Sequence, residues 1–296
     1  MELRVLRYFL AVAREETATR AADVLHITQP TLSRQLAQLE DELGVKLFAH
    51  QGRRIVLTAD GLLLRRRAEE ILELVDKTEQ ELSQSEETVQ GTVVVGTGEI
   101  GALQMLTSCI TAFSALHPLV HFSFFSAPAD VVKDRMDRGL IDVGLLMEPI
   151  AVEKYDYVRT NLLEQMAVFM RPDDPLARKE AIAPEDLEGK TLIIPLRSEN
   201  QIRNWMGSCF REENVRFRIN LPTPGAILAA GGHGYMIVPQ NGLPLCDPQR
   251  LAARPLKAGM ELQSLLAWKR GQPFGRAAEK FIDYAKCFWG IDSPDQ

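Results

Sequence analysis

Gln29, Thr31, Ser33, Arg34 and Gln38 bring together side chains suited to reading the edges of base pairs. An arginine can donate to guanine O6 and N7 together, a glutamine can bond adenine N6 and N7, and threonine or serine serves either base. Such groups read a groove only if one element holds them on one face. Leu32, Leu36, Leu39 and Leu43 recur at steps of four, three and four, so they line the buried side of an amphipathic helix. Gln29, Ser33, Arg34, Ala37 and Gln38 fall outside that stripe. Thr28 suits the N-cap, its hydroxyl accepting from a free backbone N–H. Pro30 sits in the first turn, where a missing N–H costs nothing. Upstream, Ala18, Ala21, Ala22, Val24 and Leu25 give a shorter helix a small-residue face, with His26 and Ile27 as the turn. Two helices so joined make a helix-turn-helix, whose second helix enters the major groove. On spacing alone the stretch also fits an ordinary helical hairpin with a solvated polar face.

The run His50-Gln51-Gly52-Arg53-Arg54, followed by Ile55-Val56-Leu57, puts two cations in a tight turn before a β-prone segment. It reads as a wing that lays Arg53 and Arg54 against phosphate or the minor groove; the alternative is a solvated turn. Thr58 then caps a long helix running to about Glu87. Leu64, Ala68, Ile71, Val75, Thr78 and Leu82 form a heptad seam along it. The seam must be buried on its own domain or on a second copy. We favour the second copy, because two half-sites about 34 Å apart need two heads in fixed relation. Ser83–Thr88 reads as a polar hinge, and Gly91 completes the break.

From Thr92 short β-prone runs alternate with helices: Val93–Val95, Ile100–His117, Val120–Phe125, Ala129–Arg138 and Ile141–Leu146. The alternation predicts parallel βαβ units. It resumes in Ala167–Met170, Thr191–Ile194, Ile202–Glu213, Ala226–Ala230 and Tyr235–Val238. The tail, from Leu262 through a helix at about Gly275–Phe288, is expected to return to the first half.

Several runs of residues resemble LysR-type transcriptional regulators. They are Phe9–Ala13, Ala21-Ala22-x-x-Leu25-x-x-Thr28–Leu36, Leu39-Glu40-x-x-Leu43-Gly44-x-x-Leu47-Phe48 and Arg53-x-x-x-Leu57-Thr58-x-x-Gly61. So do His117-Pro118, Gly139-x-Ile141–Gly144, Asp174–Ala177 and Gly232-His233-Gly234-x-x-x-Val238-Pro239, so the likeness covers nearly the whole chain. It implies an α/β protein with an N-terminal winged helix-turn-helix (1–58), a linker and dimerisation helix with its hinge (59–90) and a two-lobed, periplasmic-binding-protein-like effector domain (91–296). Lobe 1 is expected over about 91–161 and 266–296, and lobe 2 over about 162–265. It further implies double-stranded promoter DNA and a small-molecule effector as partners, self-association as a dimer and then a tetramer, RNA polymerase as a further partner, and a cytoplasmic, nucleoid-associated place.

In open α/β sheets ligands bind beyond the carboxyl ends of strands, here in the cleft between lobes. Thr97, Gly98, Glu99 and Ile100 lie between a strand and a helix N-terminus, where free N–H groups suit an anion. An inward Glu99 would instead repel an acidic effector; otherwise it faces solvent or caps its own helix. From lobe 2, Ser198, Asn200, Gln201, Ile202 and Thr223 are expected at the cleft, with Arg197 and Arg203 as carboxylate clamps or solvated cations. His233 is a turn residue.

The net charge of −6 argues against a generally basic coat, but residues 1–60 are neutral while the rest is acidic. Cys109, Cys209, Cys246 and Cys287 form no CxxC pair and read as reduced thiols, with an oxidant sensor as the minor reading. The glycines of 96–101 misplace the third position of a dinucleotide fingerprint, and GxSxG, HExxH and Walker motifs are absent from the sequence. Neither an enzyme nor a cofactor is expected. No apolar stretch has the length of a membrane span, so no membrane partner is expected.

Overall fold

The computed structural model describes residues 1–290 except 53, 83–87, 149, 151–152, 244–246 and 260. The chain divides into two compact units, Met1–Ser83 and Gln84–Gln296.

In the first unit α1 (Leu3–Glu15), α2 (Ala18–Val24) and α3 (Gln29–Leu43) close around Leu6, Phe9, Val12, Leu32, Leu36 and Leu39. Ala21 and Ala22 are almost completely buried, and their small side chains let α3 approach α2. Two expected core positions are exposed: Val24 at the end of α2 and Leu43 at the end of α3. Both stripes outrun the cores they serve, α3 ending at Gly44 with φ +69°. His26, at φ +54°, makes the sharp turn between the two helices. β1 (Phe48–Gln51) and β2 (Arg54–Leu57) form an antiparallel hairpin that pairs Phe48 with Leu57 and Gln51 with Arg54.

The long helix α4 (Ala59–Leu82) starts at Thr58, whose hydroxyl accepts from the Gly61 N–H at 3.0 Å. Its seam corrects the sequence reading. Ala68 is fully buried in the head, and Leu64 and Ile71 pack on the same core. The apolar face of α1 needs cover and α4 supplies it, held further by an Arg7–Asp76 ion pair of 2.9 Å. Val75, Thr78 and Leu82 remain outside the head core, Leu82 being 83% exposed. Of the expected hinge at 83–88, residues 83–87 lie outside the described residues.

The second unit is built on one mixed sheet. Its strands are β3 (Gly91–Thr97), β4 (Val120–Ser126), β5 (Val143–Met147), β6 (Tyr155–Met170), β7 (Leu192–Pro195), β8 (Val215–Ile219), β9 (Tyr235–Pro239), β10 (Ala252–Pro255) and β11 (Glu261–Lys269). Their order is β4-β3-β5-β11-β6-β9-β7-β8, with β10 also on β6. β3 runs parallel to β4 and β5, and β7 parallel to β8 and β9, giving two βαβ lobes. β6 serves both lobes: residues 155–165 pair with β11, and 166–170 with β9 and β10. Lobe 1 carries α5 (Ala102–Leu116), α6 (Ala129–Asp137) and α9 (Arg276–Phe288) around a core that includes Leu106, Phe113, Val143 and Phe281. Lobe 2 carries α7 (Glu199–Met206) and α8 (Pro222–Ala230) over Ile193, Ile194, Met206 and Ile237.

The helix expected over Ile202–Glu213 is α7, displaced towards the N-terminus because Gly207 at φ +53° ends it. β8 went unanticipated: its Arg216 and Arg218 alternate with buried Val215 and Ile219, the pattern of a half-buried edge strand.

Where β6 passes between lobes, its pairing with β11 slips between Gln263 and Leu265. Side chains satisfy the backbone there. The Thr160 hydroxyl donates to the Ser264 carbonyl at 3.0 Å, and Gln263 Nε2 donates to the Thr160 and Leu162 carbonyls.

Candidate functional site

On the head, Gln29, Ser33, Arg34, Ala37 and Gln38 are all exposed, while Leu32, Leu36 and Leu39 behind them are buried. Gln29 Nε2 donates to Ser33 Oγ at 3.0 Å, and Gln38 Nε2 to a Glu42 carboxylate oxygen at 3.3 Å. The Arg34 guanidinium makes no hydrogen bond or ion pair among the described residues. Pro30 lies in the first turn as expected. Thr28 does not cap the backbone: its hydroxyl lies 2.9 Å from that of Thr31, so the two threonines satisfy each other. Arg54 reaches Glu16 at 3.2 Å across exposed surface, a contact worth little in water. Arg53 lies outside the described residues.

One positioning residue escaped the sequence reading. Glu40, on α3, accepts the Leu47 N–H at 2.8 Å, the Phe48 N–H at 3.3 Å and the Lys46 ammonium at 2.7 Å. Burial works to raise its pKa, but Lys46 and the two backbone donors outweigh this and hold the carboxyl below the usual range. This carboxylate fixes the start of the wing against the helix that would read bases. A glutamate three residues before a helix ends gives no sequence signal for such a role.

In the second unit the cleft between lobes has a volume of about 90 Å³. Gly98, Glu99, Ile100 and Ser198 border it, together with Pro128 and Ala129 of lobe 1 and Arg197 of lobe 2. The helix N-terminus beside it does not offer the free donors expected from sequence. The Gly101 and Ala102 N–H groups of α5 donate to the two carboxylate oxygens of Glu164 at 3.1 and 3.2 Å, and Ser264 Oγ donates to the same carboxylate at 2.9 Å. Glu164 is fully buried on β6, so an internal carboxylate already takes the place where an external anion was expected.

Glu99 does cap a helix, but in the other lobe. Its carboxylate accepts the Thr223 N–H at 2.7 Å and the Thr223 hydroxyl at 2.8 Å, in the first turn of α8. This contact separates the cleft from a second cavity of about 450 Å³ bordered by Ile100, Leu103, Ile227 and Leu251. Thr223 therefore faces that second cavity rather than the cleft. Close by, a Cβ on Gly101 would stand 2.1 Å from Asn241 Cβ, so only glycine allows the lobes to meet there.

Other expectations need correction. Ile202 is fully buried in the lobe 2 core, because α7 begins at Glu199 and turns that position inward. Thr97 is 2% exposed and its hydroxyl donates to the Gly98 carbonyl, so it presents no free hydroxyl to the cleft. Asn200 and Gln201 lie on α7 outside the described lining. Arg203 pairs with Glu199 and Glu212, and Arg218 joins both acids, so Arg203 belongs to a surface ion network.

Residues 3–62 match the model of the bacterial regulatory helix-turn-helix protein, lysR family, and residues 86–289 match the LysR substrate binding domain. The hydrogen peroxide-inducible genes activator of Pectobacterium carotovorum subsp. carotovorum is 30% identical over 249 residues, 82% of each chain. The Hca operon transcriptional activator HcaR of Escherichia coli K12 is 28% identical over 286 residues, covering 92% of this chain and 93% of its own. Among solved structures, the LysR family regulator CbnR superimposes with a TM-score of 0.78 at 20% identity, over 98% of this chain and all of CbnR. CbnR bound to its target DNA gives 0.76 at 21% identity, over 97% of this chain and all of CbnR.

The chain thus belongs to the LysR family. It is a LysR-type transcriptional regulator, a DNA-binding protein with an effector-binding domain, and not an enzyme. Among the described residues no helix is long and apolar enough to cross a membrane.

Proposed function

We propose that α3 and the β1–β2 wing bind double-stranded promoter DNA. Gln29, Thr31, Ser33, Arg34 and Gln38 face base edges, Thr28 and Pro30 set the entrance of the helix, and Arg53 and Arg54 meet phosphate or the minor groove. One observation carries this reading: the polar face of α3 is exposed with an unengaged Arg34 at its centre, while the opposite face is buried. The effector enters the cleft beside Gly98, Glu99, Ile100 and Ser198, with the Glu99–Thr223 bonds at its edge. Its affinity differs between two lobe arrangements, the condition for a ligand to shift them. A head of 1–58, a connector of 59–90 and a two-lobed domain of 91–296 carry these tasks.

Two copies pair through the exposed part of α4, around Leu74, Thr78 and Leu82, and two such dimers form a tetramer. RNA polymerase is the protein partner at the promoter. The place of action is the cytoplasm, on the nucleoid. Footprinting on DNA upstream of the chain's own gene, with and without candidate metabolites, tests the reading. A protected segment that changes with ligand is expected; equal binding to all DNA would overturn it.

The peroxide response named for the Pectobacterium relative comes to this chain only if one of its own cysteines is reactive. Oxidation requires a thiolate, and burial pushes the Cys109 thiol up to about 12. Cys209 packs on the lobe 2 core, and Cys287 is exposed on α9, away from the described cleft lining. Cys246 lies outside the described residues. Dilute peroxide is expected to leave the footprint unchanged, and a footprint that shifts with peroxide would restore the oxidant reading.

A further inference from the structure

We propose that the second cavity is a binding site for an apolar amine, separate from the cleft and independent of the effector reading. It encloses about 450 Å³, within the range of small-molecule sites, while the cleft has about 90 Å³. Lobe 1 supplies Ile100 and Leu103 at the start of α5, and lobe 2 supplies Ala226 and Ile227 from α8, with Leu251 beside them. Two contacts hold these walls in place: the Glu99–Thr223 bonds, and the approach of Gly101 to Asn241 that admits no Cβ. Ile227 is 70% exposed and belongs to neither lobe 2 core, so folding leaves an apolar side chain uncovered in the wall.

The polar rim sets the sign of the guest. Among the described residues the charged groups that border the cavity are Glu99, Asp247 and Arg250, two carboxylates against one guanidinium. Asp247 and Arg250 are exposed and of opposite sign, so they offset each other, and the half-buried Glu99 carries the remaining negative charge. Both Thr223 bonds go to Glu99 Oε2. Glu99 Oε1 makes no hydrogen bond among the described residues and is free to accept from a guest. The backbone offers an anion no seat here. Pro222 and Pro224 carry no N–H, and Glu99 takes that of Thr223 between them. Glu164 takes those of Gly101 and Ala102 at α5. An apolar body with an ammonium head matches this pattern: the body covers Leu103 and Ile227, and the head donates to Glu99 Oε1.

The full-length protein is titrated calorimetrically, at neutral pH and constant ionic strength, with 1-naphthylmethylamine, 1-naphthylmethanol and 1-naphthoate. These share one apolar body and differ in the charge of the head. The amine is expected to bind tightest, the alcohol less tightly, and naphthoate at least about tenfold more weakly than the amine. Glu99→Gln should weaken the amine by about tenfold and leave the alcohol nearly unchanged, the retained alcohol showing that the cavity is intact. Arg250→Gln should tighten the amine. Ile227→Lys, at an exposed position outside the cores, should weaken the amine by about tenfold or more, because it adds a cation and removes apolar cover. Arg197→Gln, in the cleft, should leave the amine as in the parent. Naphthoate binding as tightly as the amine would overturn the proposal. So would full amine affinity in both Glu99→Gln and Ile227→Lys, and so would no binding of the amine, the result if a second copy covers this face. A response to Arg197→Gln with none to Ile227→Lys would seat the probe in the cleft and equally overturn it.

Discussion

Arg34, which we propose reads bases, is a side chain that nothing in the described head ties down. Arg34→Ala is expected to cost about 1–3 kcal/mol on the specific promoter, and less on random DNA, in gel-shift titrations. Equal losses on both would make it a phosphate contact. Glu40 supports that reading from behind. Its folded pKa is depressed, so its stabilisation is complete above the unfolded carboxylate value and is lost as pH falls through the folded value. Glu40→Gln should destabilise the head by about 1–3 kcal/mol at neutral pH and flatten the acid limb of its stability profile, measured by urea unfolding across pH. The leucine stripe of α3 was legible because a helix imposes its period on sequence. Glu40 and Glu164 were not, because their value depends on donors that folding brings from elsewhere, such as Ser264 on β11 for Glu164.

The helix α4 shows how far a periodic pattern reaches. Its apolar seam was readable, but the partner of that seam was not, since a heptad covers a neighbouring helix as readily as a second copy. Leu64, Ala68 and Ile71 serve the head, and only the later turns remain for pairing. A fragment ending at Glu87 is expected to be dimeric by light scattering; a strictly monomeric fragment would assign dimerisation to the second unit. Gly61 joins α4 to the wing, where a Cβ would come 2.1 Å from the Leu47 carbonyl oxygen. Gly61→Ala should therefore lower head stability by about 1–3 kcal/mol in urea unfolding, despite alanine's better helix propensity. Among the strands, the apolar runs of β3, β7 and β9 were read directly. β8 was missed because two arginines interrupt it, and the length of β6 was missed because its ends serve different lobes.

Across the second unit, two lobes were legible from the βαβ alternation, but the residues that join them were not. The Glu99–Thr223 bonds and the close approach of Gly101 to Asn241 each link positions far apart in the chain. Glu99→Ala is expected to speed amide exchange at the start of α8 by about fivefold, the loss of roughly 1 kcal/mol. Unchanged exchange would mean that Thr223 is held by other groups. The family match makes both tasks of the molecule firm, reading DNA and sensing an effector.

The slipped pairing of β6 and β11 has a mechanical consequence. Both strands pass between the lobes at that slip, and the polar cluster at Thr160, Gln263 and Ser264 ties them there. A guest that draws the lobes together would load this crossing, whatever the chemistry of the guest. Drift in the cleft walls could retune what is sensed while the output stroke stays the same.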